Sequence, residues 1–211
     1  MKDSLDGEHE PVVWRCPIPG VSAVLLCENW LVPERAWHLL FWLRYHVDWQ
    51  QLPVRVFGRR YWQPRLCAFV GRSETLSYQY SGLTLQAQPW PMPIAQLAEQ
   101  LYADCAISFN ACLLNLYRHG EDRMGMHSDN EPELGSAPHI AIVSLGGDRF
   151  LKMKHRRSGQ SVRISLPHGS LLWMRPPCQR DWQHGIGRQA RAKPRISLTF
   201  RTIIDEIGDE R

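Results

Sequence analysis

No apolar run in the 211-residue chain approaches the roughly 18 residues that a membrane-crossing helix needs, so no membrane association is expected. Six cysteines stand at 16, 27, 67, 105, 112 and 178, and none forms a CxxC pair. Six in a chain this long make no disulfide framework, which leaves the reduced thiols of a cytosolic protein. Internal repeats are absent as well. The opening segment MKDSLDGEHE is acidic and polar, unlike a secretion signal; residues 1–12 are expected to be disordered and 13–211 to form one domain. Acid is scarce in two further places. Between Arg149 and Arg201 there are 13 Lys or Arg against Asp181 alone, and 55–72 holds five arginines and no acid. The net charge is only +4, so it is the segregation that points to a polyanionic partner. A solvated basic face without a partner is the alternative.

What is present reads as helices first and strands afterwards. Pro33 to about Val47 is a predicted helix, with Trp37, Leu40, Phe41 and Arg44 at three- and four-residue steps. Pro91 to about Asp104 is a second, with Ile94, Leu97, Ala98 and Leu101 on one face. Strand patterns follow at 107–117, 139–146, 149–154, 161–166, 169–175 and 195–203. Strands in succession without intervening helices exclude a parallel α/β fold. They predict a mostly β protein, an antiparallel double sheet with helices supporting one face. The stretch 48–90 reads as long and irregular, rich in arginine and aromatics, and is expected to form a lid.

His127 and Asp129 lie two apart, so an extended backbone turns an imidazole and a carboxylate to the same side. With His184 as a third ligand they would form the two-histidine, one-carboxylate facial set that suits Fe(II) and leaves positions open for a bidentate cosubstrate and dioxygen. Alone the pair is weak, since nine histidines make a third ligand easy to find and zinc remains the competing ion. Arg195 and Arg201, six apart on one predicted strand, share a face. Inside a barrel they would need carboxylates, and a dicarboxylate cosubstrate meets that need. Tyr117 could add a hydroxyl donor. Both arginines facing outward, unpaired, is the other possibility.

The ordered motifs are more specific. VFG at 56–58, PR at 64–65, SGLTL at 81–85, NLYRHGEDRMGMHSDNEPELG at 115–135, SLGGDRF at 144–150, HGSLLWM at 168–174, His184 and PRISLTFR at 194–201 follow one another. In this order and spacing the chain resembles the AlkB family of nucleic-acid dealkylases, the branch of its DNA-repairing animal homologues and their bacterial relatives. The resemblance implies a double-stranded β-helix (jelly-roll) core with iron(II) held by His127, Asp129 and His184. It implies 2-oxoglutarate bound through the distal carboxylate by Arg195, with Asn115, Tyr117 and Ser197 beside it and Arg201 near its metal-bound end. Dioxygen is then the oxidant, an alkyl carbon on a base nitrogen is hydroxylated, and formaldehyde leaves.

A base within a duplex must be flipped out before such chemistry, and a flipped base needs walls. The resemblance implies Tyr78 and Tyr80 beside the lesion base, Arg65, Asn130 and Glu131 on the substrate side, and Phe57 as a wedge filling the gap in the stack. Phe57 as a core residue is the plainer possibility. Arg55, Arg59, Arg60, Lys152, Lys154, Arg156 and Arg157 are expected to hold phosphates. The chain departs from the family pattern at three places: Asn130 follows the metal carboxylate where close relatives carry Asp, Ser197 replaces an Asn between the two arginines, and Met126 replaces a larger residue. The expected substrate is DNA bearing 1-methyladenine or 3-methylcytosine, with RNA or a protein side chain as alternatives and an inactive binding module as the remote one. A monomer is expected, in the bacterial cytoplasm, or in the nucleus if the source is eukaryotic.

Overall fold

The computed structural model describes residues 12–56, 59–80 and 82–204. Phe57 lies outside them, and the side chains of Arg55, Arg59 and Tyr80 are likewise outside the description. In chain order the elements are β1 (Val24–Cys27), α1 (Pro33–His46), β2 (Pro53–Val56), β3 (Arg59–Trp62), β4 (Leu66–Gly71), β5 (Ser77–Tyr80), β6 (Leu83–Gln86), β7 (Gln88–Pro89) and α2 (Met92–Cys105). There follow β8 (Ala111–Tyr117), β9 (Met124–His127), a 3-10 turn at Pro132–Leu134, β10 (Ile140–Gly146), β11 (Arg149–His155), β12 (Ser161–Leu166), β13 (Ser170–Met174), α3 (Cys178–Asp181), β14 (Trp182–Ile186) and β15 (Arg195–Arg201).

Seven strands form the larger sheet, in the order β1-β13-β10-β15-β8-β4-β7, and four the smaller, β12-β11-β14-β9. All their pairings are antiparallel except β4 with β7. This is the jelly-roll core that the strand pattern implies. Its central strands are buried on both faces because each alternate set of side chains has its own partner. Along β15, Ile196, Leu198 and Phe200 join a core with Ala36, Leu39 and Leu43 of α1 and Ile94, Leu97 and Leu101 of α2. A second core lies between the sheets, where Ile142 and Leu172 meet Leu151, Met153, Leu166 and Ile186. The residues of β15 that alternate with the apolar set, Arg195, Ser197, Thr199 and Arg201, line a pocket on the other side.

Two expectations change. The buried stripe of α1 is Ala36, Leu39 and Leu43, whereas Trp37 and Phe41 are about half exposed, at 46% and 54%. Small and β-sheet-matched side chains, not the largest rings, face the sheet. The stretch 48–90 is not irregular: it holds six strands, and β4 is a full member of the larger sheet, paired from Leu66↔Leu116 to Gly71↔Ala111. Among the described strands of this stretch, the two ribbons β2–β3 and β5–β6 stand outside the main sheets. Among the described residues no helix is long and apolar enough to cross a membrane.

The crossing from the larger to the smaller sheet is tight. Gly146 has φ +92°, and a Cβ there would come within 2.5 Å of the Pro194 carbonyl oxygen; one on Gly147 would meet Lys193 O at 2.6 Å. Glycine is required on both counts. The turn, which leads into β11, therefore packs directly on the segment entering β15.

Candidate metal centre

His127 closes β9 and His184 sits in β14, and the two are register partners across adjacent antiparallel strands. Their rings lie 4.3 Å apart, centroid to centroid. Asp129, two residues beyond the strand, is 1% exposed, and one ligand atom from each of the three residues falls within 4.8 Å of the others. Arg201 Nη2 donates to Asp129 Oδ1 at 2.6 Å, while Oδ2 lies 3.4 Å from His184 Nε2 and has no hydrogen-bond donor. Burial raises the Asp129 carboxyl, but Arg201 and His184 outweigh it and hold the group well below the usual carboxylate range. Burial, with His184 adding to it, lowers His127 to about 4. His127 and Asp129 are thus deprotonated at neutral pH, as metal ligation requires. An orphaned carboxylate oxygen beside two imidazoles fits a divalent cation with N and O ligands, iron(II) among them.

Neighbouring groups fix these ligands. His127 Nδ1 is 2.9 Å from Gly125 O. Gln179 Oε1 accepts from the Asp129 backbone N–H at 2.9 Å, and Ser128 donates to Trp182 O at 2.7 Å while accepting from Arg156 Nη2 at 2.9 Å. Gln179, 3% exposed on the four-residue helix α3, is a support of the candidate ligand Asp129 that sequence reasoning missed, and nothing in its local pattern signals it.

The pocket beside the ligands is lined by Asn115, Tyr117, His127, His184, Arg195 and Arg201, among others. Arg195 is 1% exposed; its Nη2 donates to Ser144 Oγ at 2.9 Å, and its Nε and Nη1 have no acceptor among the described residues. Burial, with Arg149 contributing, pulls Arg195 down to about 10. Both arginines of β15 therefore face inward, which removes the outward-facing alternative. Unmet guanidinium donors facing a pocket with a metal site at its other end fit a dicarboxylate such as 2-oxoglutarate. Asn115 is 3% exposed and Ser197 5%. Arg65, expected on the substrate side, is buried beneath them: its Nε donates to Asn115 Oδ1 at 2.8 Å and its Nη1 to Arg123 O at 3.2 Å.

Tyr78, expected as an open wall for a base, is completely buried, with its ring 5.1 Å below the Arg201 guanidinium and 5.8 Å from Phe69. Glu131 lies beside its hydroxyl. Tyr78 takes the inward side of β5, packed between Phe69 and Arg201. Burial, and then Asp129, raises the Glu131 carboxyl. Asn130 is exposed, as are Lys152, Lys154, Arg156 and Arg157 on the smaller sheet and its turn. Arg60 is exposed too, 5.2 Å over the Trp62 ring. Arg149, Arg195 and Arg201 belong to the interior, so three of the 13 cations between 149 and 201 leave the outer electrostatic face.

The profile of the 2OG-Fe(II) oxygenase superfamily matches residues 23–201. The chain belongs to the AlkB branch of that superfamily. It is 36% identical over 195 residues to alpha-ketoglutarate-dependent dioxygenase alkB homolog 3 of Bos taurus, covering 87% of this chain and 67% of the relative. DNA oxidative demethylase ALKBH2 of Arabidopsis thaliana is 30% identical over 210 residues, with the same shares covered. The Mus musculus protein of that name is 38% identical over 160 residues, 72% of this chain and 66% of the relative. The solved structure of OsALKBH1 superposes with a TM-score of 0.64 over 91% of this chain and 100% of that one, at 14% identity, a likeness of fold. As a superfamily member this AlkB-type chain is an iron(II)- and 2-oxoglutarate-dependent dioxygenase.

Proposed function

We propose that this enzyme removes alkyl groups from ring nitrogens of nucleic-acid bases, with DNA carrying 1-methyladenine or 3-methylcytosine as the leading substrate. The observation that carries the reading is the joining of two features. A three-ligand metal site is backed by unmet guanidinium donors, and the strand next to the one carrying His184 bears the exposed Lys152 and Lys154, with Arg156 and Arg157 in the turn that follows. The printed names of two relatives, DNA oxidative demethylases, support DNA.

His127, Asp129 and His184 would hold the iron, and Arg195, Asn115, Tyr117 and Ser197 the 2-oxoglutarate. Together iron and cosubstrate supply dioxygen activation, and with it hydroxylation of an alkyl carbon on a base nitrogen. The hydroxyalkyl adduct falls apart to an aldehyde, formaldehyde from a methyl group, and the restored base. Arg201 fixes one Asp129 oxygen so that the other faces the metal position. Ile142, Leu151, Leu166 and Ile186 line the pocket with apolar surface that excludes water. Glu131, next to the Tyr78 hydroxyl, is suited to face the exocyclic group of a lesion, with Asn130 beside it where relatives place a second acid. Phe57 and Tyr80 would serve as wedge and stacking surface, and the exposed cations would hold phosphates. Dioxygen as the oxidant, action as a monomer and a cytoplasmic or nuclear setting belong to the same reading.

Formaldehyde and succinate released from methylated oligonucleotides test it, with single and double strands of DNA and RNA supplied together with iron(II) and 2-oxoglutarate. Turnover highest on methylated DNA and absent in Asp129→Ala is expected. No turnover on any oligonucleotide would sink the nucleic-acid assignment.

A further inference from the structure

A second arginine lies behind the cosubstrate pocket, and the machinery above does not use it. Arg149 opens β11 and points inward with Leu151 and Met153, while Phe150, Lys152 and Lys154 point out. Its side chain is 1% exposed. Nη2 donates to two backbone carbonyls, Asp122 O at 2.8 Å and Gly187 O at 2.5 Å. These belong to the segment entering β9 and the segment leaving β14, the two strands that carry the metal histidines. Its Nε and Nη1 have no acceptor among the described residues. The guanidinium carbon lies 5.4 Å from the Tyr117 ring centroid, and that of Arg195 lies 5.4 Å from the same centroid.

Two buried cations therefore share one aromatic ring, Arg195 also interacting with the Tyr117 hydroxyl, and among the described residues Nε and Nη1 of each arginine meet no acceptor in hydrogen-bonding geometry. A tether alone would need only Nη2, and an apolar side chain would fill the rest of the space at lower cost. Asp122 gives Arg149 its backbone oxygen and a favourable charge at longer range, but its carboxylate forms its hydrogen bonds with Arg118, Nε at 2.8 Å and Nη2 at 3.0 Å. Burial of like charges without a carboxylate is unfavourable unless an anion completes the set. The glycine turn at 146–147, which leads into β11, packs directly on Lys193 and Pro194 and on the backbone of Arg195.

We propose that Arg149 is a specificity-determining positioning residue: with Arg195 and Tyr117 it forms a doubly charged floor that demands a distal carboxylate on the 2-oxo acid. The inference rests on the pocket being the 2-oxoglutarate site. Arg149 acts on that carboxylate through its charge and through Tyr117, not through the metal. It should therefore govern which 2-oxo acid binds while leaving the metal-bound end untouched.

The test compares two probes on the same metal-loaded protein: 2-oxoglutarate, and 2-oxovalerate, which has five carbons and a methyl in place of the distal carboxylate. Binding is measured by calorimetry on the Mn(II) form and by charge-transfer absorbance on the anaerobic Fe(II) form. Arg149→Met is expected to weaken 2-oxoglutarate by about 10- to 100-fold, the range for losing a close contact to a charged group. Binding of 2-oxovalerate should stay within about threefold, and Arg149→Lys should recover most of the loss. Should Arg149→Met fail to fold, Arg149→Gln carries the comparison, since its amide keeps a donor for the two carbonyls but no charge. Equal losses for both probes, or no loss for either, overturn the proposal and leave Arg149 a tether. A wild-type protein that does not bind 2-oxoglutarate overturns instead the reading of the pocket on which the proposal rests.

Discussion

Gln179→Met replaces an amide of matching length by a thioether and removes the acceptor of the Asp129 backbone N–H. The bond is 2.9 Å long and lies where both residues are at most 3% exposed, so water has no ready way to substitute. A buried donor left unmet costs about 1–3 kcal/mol. Taking about 2 kcal/mol, the metal-free protein should melt roughly 4–8 °C lower for a chain of this size. The other amide atom contributes little, since Nε2 reaches only Met174 Sδ at 3.5 Å. The more telling effect is on the metal. Asp129 is not on a strand, and its backbone is fixed by Gln179 while its carboxylate is fixed by Arg201. Freeing the backbone lets the ligand sample other positions, and loss of such an outer partner typically weakens metal binding by about 10- to 100-fold. Titration with Mn(II) or Co(II), against a competing chelator, measures this directly. An unchanged metal affinity alongside the expected drop in melting temperature would refute the reasoning: Gln179 would then support the fold without aiming Asp129.

Arg201→Met leaves Asp129 buried without its counter-charge and should cost about 3–5 kcal/mol in denaturant unfolding of the metal-free protein; a loss under about 1 kcal/mol would mean the pair is screened. Phe57→Ala should lower turnover on duplex DNA more than on single strands, and equal losses on both would remove the wedge role. The metal-free protein should lose stability as pH falls from 6.5 toward 4. In that window the unfolded chain protonates His127 while the native one does not, so the unfolded state binds more protons and stability rises with pH, by up to about 3 kcal/mol. Melting curves across that range, with His127→Gln expected to flatten the slope, check the sign.

The legible parts of the fold were those with one uninterrupted period. The stripe Ile94, Leu97, Ala98 and Leu101 named the buried face of α2, and six of the strands announced themselves by alternation or apolar runs. The strands bearing the metal histidines did not. MGMH and WQHGI are four and five residues long, and the ligands with their glycines break the very pattern that would mark a strand. β4 went unread within 48–90 because both faces of LCAFVG are covered, which leaves no alternation. At the site, ligand identity came from motif order, whereas support is a matter of three dimensions. Arg149 counted with the surface cations although its place among Leu151 and Met153 was an available signal. Gln179 lies 50 residues from Asp129 in sequence, and only the turn of the barrel joins them.

The β2–β3 ribbon pairs with no other strand, in register from Pro53↔Trp62 to Val56↔Arg59. Lengthening or shortening its tip therefore shifts no hydrogen-bonded partner in either main sheet, and none of the metal ligands rides on it. Descendants of one ancestral barrel could therefore exchange this appendage while inheriting the metal-ligand strands intact. Grafting the corresponding ribbon from a relative onto this chain is the engineering counterpart of that history.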